Sequence, residues 1–295
     1  MEQETPATEA GSADRETLVG VGDTRQGTET RGGRLVAFRV ASVVVALWFL
    51  IYFSFALLEV GLMWLPEPTL VEVVGEDEIL DLGLHRTHFM MIGVVAWALV
   101  LPALAHLRKP QRQVASMIQL MALAVGGTIV YGLSGTLAEW LLEEGAVLAP
   151  VIVLVVLHPR ARDFMRRPGF DRNLLTLAVV GAVPWLVYLI DNARLQFTNA
   201  AGDTHAELEH WATAALLGVV MIVCSLIGAS DHDGWRLPAW IASAGAVIIG
   251  VHMLVFPGLA SGLSVPWAVV SVVWGIALAA ATIRRARLGP VPVRV

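Results

Sequence analysis

Residues 203–228 read DTHAELEHWATAALLGVVMIVCSLIG, a short ionisable stretch that leads directly into an apolar run. A helix needs about 20 mostly apolar residues to cross the hydrocarbon of a bilayer, and the segment from Glu209 to Gly228 meets that length. A second stretch, residues 81–89, reads DLGLHRTHF and stands in the same position before an earlier apolar run. We therefore expect an all-α, polytopic integral membrane protein with its ionisable chemistry where two of its helices begin.

Composition places most of the chain in lipid. Of its 295 residues, 56% are hydrophobic and only 15% are charged, whereas soluble domains carry about 25% charged residues. The formal net charge of −5 argues against nucleic acid as a partner, because such proteins need a basic face to neutralise phosphates. The single cysteine, Cys224, excludes an intramolecular disulfide and a thiolate cluster. A bound metal would therefore take histidine and carboxylate ligands.

Apolar runs divide the chain into a tail and a transmembrane domain. Residues 1–34 are polar and lack an apolar period, so we expect a disordered cytoplasmic tail that cannot offset its ordering entropy by burial. Residues 35–295 form the predicted transmembrane helical domain, with halves at about 35–172 and 173–288. The eight predicted spans are Ala37–Trp64, His88–Leu107, Val114–Leu133, Leu141–Leu157, Leu174–Asp191, Glu209–Gly228, Pro238–Phe256 and Ser264–Ile283.

The fourth predicted span is the shortest. Glu143 and Glu144 leave it an apolar part of about 13 residues, less than a full crossing requires. Lys and Arg collect on the cytoplasmic side of a membrane, and eight crossings put Arg108, Lys109 and Arg112, the arginine-rich segment 160–172, and Arg284 and Arg285 all on that side. We therefore expect eight crossings of the cell membrane, with both termini in the cytoplasm and with acidic outer loops.

The two halves share a layout that predicts a parallel 4+4 internal repeat. In each half, a helix is followed by an acidic outer loop, a helix that opens with histidine and an aromatic residue, and two more helices. An offset of 122 residues aligns His88 and Phe89 with His210 and Trp211. Four crossings return the chain to its starting side, so two such halves are related by an axis along the membrane normal. That axis can bring both histidine-bearing helix starts together at the outer surface.

Histidine and carboxylate spacing at these helix starts predicts a metal site. Residues three apart on a helix share a face, so His85 with His88, and Glu207 with His210, can each present two ligands to one point. His252 lies about five residues inside the outer boundary of the seventh span and adds a further imidazole. These five side chains suit a transition metal such as zinc, iron or copper. In a haem b alternative, two of His88, His210 and His252 supply the axial ligands.

Local capping explains part of this pattern without a cofactor. Thr204 and Glu207 fit a capping box, in which each side chain satisfies a backbone amide of the first helical turn. Capping does not account for His88, His210 or His252. At the inner boundary, solvated or capping roles are expected for three further histidines. These are His106, His158 and His232.

Three functions stay open at this point. In the first, a membrane redox protein or metal-dependent enzyme works at the outer site, with Glu207 or Glu209 as base for a metal-bound water. In the second, the chain is a transporter or channel for a small solute, for which Gln119 is the nearest polar residue to mid-span. In the third, it is a non-catalytic membrane component. The lipid bilayer is the one predicted partner.

Overall fold

The computed structural model describes residues 21–66, 68–69, 76–133, 145–198, 204–259 and 261–288, with side chains described from Gly33 onward except at 76–85 and Thr204. Within these ranges the chain is helical and contains no β-strand, which confirms the all-α prediction. The helices are α1 Val21–Tyr52, α2 Ser54–Leu62, α3 Glu76–Arg108, α4 Val114–Leu133, α5 Gly145–Leu157, α6 Arg172–Thr198, α7 Thr204–Glu207, α8 His210–Ala229, α9 Arg236–Val255 and α10 Val265–Leu288. Two short 3-10 turns, Pro110–Arg112 and Ala161–Met165, precede α4 and α6.

Seven of the described helices are long and apolar enough to cross a membrane. They are α1, α3, α4, α6, α8, α9 and α10. The described part of α5 is apolar and has 13 residues, which cover about 20 Å against a hydrocarbon thickness of about 30 Å. The chain is thus a multi-pass membrane protein by its apolar helices, and an eighth crossing through α5 stays a prediction.

Helix α1 differs from its predicted form at both ends. Its backbone begins at Val21, inside the segment 1–34 that composition predicted to be disordered. Extending a helix costs far less than starting one, so a polar segment without proline can continue the apolar helix that follows it. At the other end α1 stops at Tyr52 and α2 starts at Ser54, although the amide of Phe53 still bonds to the carbonyl oxygen of Phe49 at 2.9 Å. The predicted span Ala37–Trp64 is therefore two helices joined by a bend.

The helices form two closed rings that pack side by side. In the first, α1 packs against α3, α3 against α4, α4 against α5, and α5 returns to α1. In the second, α6 packs against α8, α8 against α9, α9 against α10, and α10 returns to α6. The rings meet through α3 and α4 of the first and α8 and α9 of the second, in all four pairings. These are the second and third long helices of each half.

Close packing of α9 on α10 fixes the turn between them. A methyl group at Gly250 would lie 2.7 Å from the carbonyl oxygen of Ala268, and one at Gly275 would lie 2.7 Å from that of Ser243. Small residues at helix interfaces let backbones approach this closely in membrane proteins. The α9–α10 turn, which carries Ser261, is consequently held at one end of the bundle.

Candidate functional site

His88 and His210 meet where α3 packs against α8. Their ring centres lie 4.7 Å apart and their planes differ by 16°, so the two imidazoles are stacked. Both side chains are buried, and the ring of Phe89 packs edge-on against His210 at 6.0 Å. The structure thus brings together the two histidines that the 122-residue offset aligns.

His205 completes a cluster that we call the histidine trio, formed by His88, His205 and His210. The ring centre of His205 lies 5.1 Å from that of His88 and 6.1 Å from that of His210. Trp211 packs beside the trio, with its ring 5.1 Å from His205 and 5.6 Å from His88. The three imidazoles come from α3, α7 and α8, and the end of the bundle that holds them is called the trio end below.

A sharp turn lets His205 and His210 face each other. Helix α7 ends at Glu207 and α8 begins at His210. Between them Glu209 has a φ of 56°, in the left-handed region that residues other than glycine rarely adopt. Its carbonyl oxygen accepts hydrogen bonds from the amide and the hydroxyl of Thr213. Glu207 and His210 therefore lie on two helices, and not on one helix face as their spacing predicted.

Ser261 joins the α9–α10 turn to the trio. Its hydroxyl oxygen lies 2.6 Å from Nε2 of His88, and its carbonyl oxygen accepts the hydroxyl of Tyr188 at 2.9 Å. Ser261 and Glu209 are the two non-glycine residues with positive φ in the described chain. Such backbone costs on the order of 1–3 kcal/mol per residue and concentrates at functional sites. Both strained residues flank the trio.

Sequence reasoning missed Gln196, which fixes the turn that carries the trio. Its side-chain NH2 donates to the carbonyl oxygen of Ala206 at 2.9 Å, and its side-chain oxygen accepts the amide of Ala212 at 3.1 Å. The side chain is buried near the end of α6. A polar residue with two such bonds orients both α7 and α8. The available signal was an amide side chain in the last turn of α6, seven residues before Asp203.

The structure places His252 in a different set of contacts. Its ring packs edge-on against Trp64 at 5.4 Å and lies 5.0 Å from Phe256. The guanidinium of Arg86 stacks 4.4 Å over the Phe256 ring and donates to the carbonyl oxygen of Leu65 at 3.2 Å. No described residue hydrogen-bonds to either ring nitrogen of the buried His252. Its predicted role as a ligand beside His88 and His210 stays a prediction.

The other predicted site residues lie near the trio in the chain. His85 is in α3, one turn before His88, with its side chain outside the described part. The side chain of Glu207 is exposed and that of Glu209 is partly buried. Both carboxylates, the predicted catalytic bases, are thus on the α7–α8 turn, at the rim of the buried imidazoles.

Gln119, the polar residue considered for a solute pathway, links two helices. Its side-chain NH2 donates to the carbonyl oxygen of Ala98 at 2.6 Å and so joins α4 to α3. The side chain is buried. This hydrogen bond gives Gln119 a structural role in the packing of α4 against α3.

Two more histidines are buried at the opposite end, which we call the Arg160 end. His106 and His158 are fully buried, with ring centres 5.9 Å apart and with Phe38 packed against both. Of the predicted solvated or capping roles, solvation is wrong for both, because the ring of Phe38 packs against them, whereas His158 does cap the chain by accepting the amide of Arg160 at 3.1 Å. Burial, together with the neighbouring His106, lowers the pKa of His158 to about 4. His158 is therefore a neutral imidazole near pH 7.

The spacing of the trio suits a metal ion, whereas its ring orientations do not. With metal–nitrogen bonds of about 2.1 Å at the tetrahedral angle, the ring centres of two ligating imidazoles lie about 5 Å apart. The three distances of 4.7, 5.1 and 6.1 Å bracket that value. As the side chains stand, no three His, Cys, Asp or Glu of the described residues converge as ready-made ligands. Binding would require the stacked rings to rotate.

Comparison of the chain with known protein families, with curated proteins and with solved structures finds no match.

Proposed function

We propose that the histidine trio binds a transition metal ion, namely zinc, iron or copper, and that the chain is a membrane metalloenzyme or redox protein. The observation that carries this proposal is the convergence of three imidazoles from α3, α7 and α8 within 4.7 to 6.1 Å of one another. Imidazole is the commonest metal ligand in proteins. Three imidazoles that lie this close together on separate helices provide nitrogen ligands without a cysteine once the stacked rings rotate.

The remaining predicted residues take secondary roles in this proposal. His85, one helical turn before His88, is a candidate fourth ligand, and His252 would have to move to join it. Glu207 or Glu209 serves as base for a metal-bound water, since a bound metal lowers the pKa of that water towards 7. Haem b is less well supported, because two imidazoles stacked face to face at 4.7 Å do not direct nitrogens at opposite faces of one porphyrin iron.

The proposal includes the eight-crossing topology. Helix α5 occupies the place in the first ring that α10 occupies in the second, and the rings contact through equivalent helices. This arrangement supports two parallel halves related by an axis along the membrane normal, with His88 and His210 facing each other across it. The arginine-rich turns then lie in the cytoplasm together with both termini, and the protein belongs in the cell membrane.

Metal content measured by plasma mass spectrometry tests the trio. Protein purified in detergent without chelators should hold about one transition metal ion per chain, as expected for one site of this ligand type. His88→Gln and His210→Gln should each lose it, because removal of one imidazole leaves too few ligands to hold the ion. Cobalt substitution should give visible d–d absorption in the wild type alone.

His252→Gln is the matched control, since this histidine is equally buried but contacts Trp64 and Phe256. It should retain the metal. Equal metal content in the wild type and both trio variants would show that the imidazoles serve packing alone.

Single-cysteine labelling tests the topology. In a Cys224→Ser background, cysteines at Gln111, Arg162 and Arg287 should all react with an impermeant maleimide from the same side of the membrane. Seven crossings would leave Arg162 and Arg287 together on the side opposite to Gln111, because α5 lies between Gln111 and Arg162.

A further inference from the structure

A long cavity lies between α6 and α10, the helix pair that closes the second ring. Its volume is about 520 Å³, within the range of pockets that hold small ligands. It is lined by α6 from Leu177 to Asp191 and by the chain from Gly262 to Ala277. Valine, leucine and tryptophan make up most of this lining, so the cavity is apolar along most of its length.

The cavity opens sideways towards lipid. Its wall includes Val180, Val187, Val270 and Val273, whose exposed fractions are 47 to 61%. All four lie on helices that are candidate membrane spans. Exposed aliphatic side chains at that depth face lipid tails, so a molecule that enters here comes from the bilayer.

Trp274 lines the end of the cavity near Leu177. Its indole nitrogen donates to the carbonyl oxygen of Leu177 at 2.8 Å and ties α10 to α6. A methyl group at Gly181 would lie 2.2 Å from the same ring, so the glycine makes room for the tryptophan. The Trp274 ring therefore holds α6 and α10 together at this end of the cavity.

The end of the cavity at Asp191 is polar and lies beside the histidine trio. Asp191 is the charged residue among those described as lining the cavity, and Ser264 lines the same end. Arg194 follows Asp191 by three residues, so the two share a helix face, and both are exposed. Tyr188 lines the cavity and bonds to Ser261, the residue that contacts His88.

The cavity is long enough for one acyl chain. From Leu177 to Asp191 the chain rises about 21 Å along α6 at 1.5 Å per residue. Half of the hydrocarbon thickness, the depth that an acyl chain of one leaflet covers, is about 15 Å. An acyl chain with its headgroup at the polar end therefore fits within the cavity, which continues past the middle of the bilayer.

We infer that this cavity binds one acyl chain of phosphatidylethanolamine, with the lipid ammonium at Asp191 and the phosphate at Arg194. A carboxylate and a guanidinium on one face complement the two charges of this zwitterionic headgroup, and the primary ammonium donates charge-assisted hydrogen bonds to the carboxylate. The bound headgroup lies beside the trio end. Lipid binding does not depend on a metal at the trio.

Photocrosslinking in nanodiscs tests this site. The probe is phosphatidylethanolamine with a diazirine in its acyl chain, and mass spectrometry locates the labelled peptides. Label should concentrate on residues 177–191 and 262–277.

Val270→Trp, which fills the cavity, should reduce this labelling to the level of the other lipid-facing helices, whereas Val44→Trp on the exposed face of α1 should leave the labelling unchanged. Asp191→Asn should lower the preference for this probe over a phosphatidylglycerol probe by about tenfold, the loss expected for a charge-assisted hydrogen bond.

Uniform label on all lipid-facing helices would overturn the inference. So would shielding of α6 and α10 by a second copy, seen as protein–protein crosslinks between these helices without lipid label. If Val270→Trp does not fold, competition on the wild type decides: unlabelled phosphatidylethanolamine should displace the probe, and phosphatidylglycerol should not. Metal content, measured on the same preparations, separates failure of this inference from failure of the proposed metal site.

Discussion

The trio end and the Arg160 end both bury histidines, but the partners of those histidines differ. At the Arg160 end, Nδ1 of His106 donates to the carbonyl oxygen of Pro102, four residues earlier, and Nδ1 of His158 accepts the amide of Arg160, two residues later. At the trio end, His88 reaches Ser261, 173 residues away, and stacks on His210 in the other half.

The hydrogen bonds and the number of imidazoles at each end distinguish structural histidines from candidate ligands. A ring bonded to its own helix or turn replaces a cap and stabilises that local segment. His106 and His158 also meet each other, with ring centres 5.9 Å apart, but they form a pair, whereas three imidazoles lie close together at the trio end. We therefore expect substitutions at the two ends to affect different measurements.

The largest expected difference is in stabilisation by metal. Saturation of the wild type at about one hundred times the dissociation constant adds about 2.7 kcal/mol, which raises the apparent Tm by about 5–10 °C in a chain of this size. His210→Gln should abolish this rise, while His158→Gln should keep it. Thermal unfolding with and without added zinc, followed by tryptophan fluorescence in detergent, makes the measurement. A rise that disappears in both variants would contradict a site confined to the trio end.

The next largest effect is a loss of metal affinity, by about tenfold or more, when Gln196 is replaced. Gln196→Met removes the bonds to Ala206 and Ala212 that orient α7 and α8, and loss of a group that orients ligands typically weakens metal binding by about 10–100-fold. Titration with cobalt gives the affinity. Gln119→Met is the control, since it removes a buried amide bonded to Ala98 far from the trio. Equal affinities in the two variants would mean that Gln196 does not position the imidazoles.

The sequence was informative wherever long apolar runs set the structure. The predicted span from Pro238 to Phe256 agrees with α9 within a few residues, and the span from His88 to Leu107 lies inside α3, which begins 12 residues earlier, because about 20 apolar residues have few alternatives to a membrane helix. The 13 described residues of α5 match the apolar part that Glu143 and Glu144 leave in the sequence. The helical extension back to Val21 and the bend at Phe53 have no such signal, since both depend on what precedes or packs against the helix.

Only one part of the candidate site, the pairing of His88 with His210, was predictable from the sequence, through the 122-residue offset between the two halves. Alignment of the halves placed His88 with His210, and these rings do stack. His205 was missed because a five-residue spacing does not fit one helix face, and its position depends on the left-handed turn at Glu209. Gln196 was missed for a similar reason, since its two partners lie in segments that only the folded chain brings near it.

Acid should destabilise the Arg160 end through His158. Burial holds its pKa at about 4 in the folded chain, against about 6.5 in the unfolded chain. As the pH falls from 6.5 towards 4, the unfolded state takes up a proton that the folded state does not, so stability is full above 6.5 and falls by about 1.4 kcal/mol per pH unit in this window. The apparent Tm of the wild type should thus drop by several degrees between pH 7 and pH 5, and His158→Gln should show a smaller drop. The same drop in both proteins would mean that other groups cause it.

The smallest effect is expected from the two ion pairs of Arg160, one of which joins the two halves of the chain. Arg160 contacts Asp163 and Asp233, and its side chain is 39% exposed, so solvent screens much of the attraction. Arg160→Ala should lower stability by at most about 1 kcal/mol, and the loss should shrink when salt rises from about 0.05 to 0.5 M. Arg162→Ala, an exposed neighbour, should have no measurable effect. Because neither substitution reaches the trio, cobalt affinity should stay unchanged in both; a weaker affinity in Arg160→Ala would show that the two ends of the bundle are coupled.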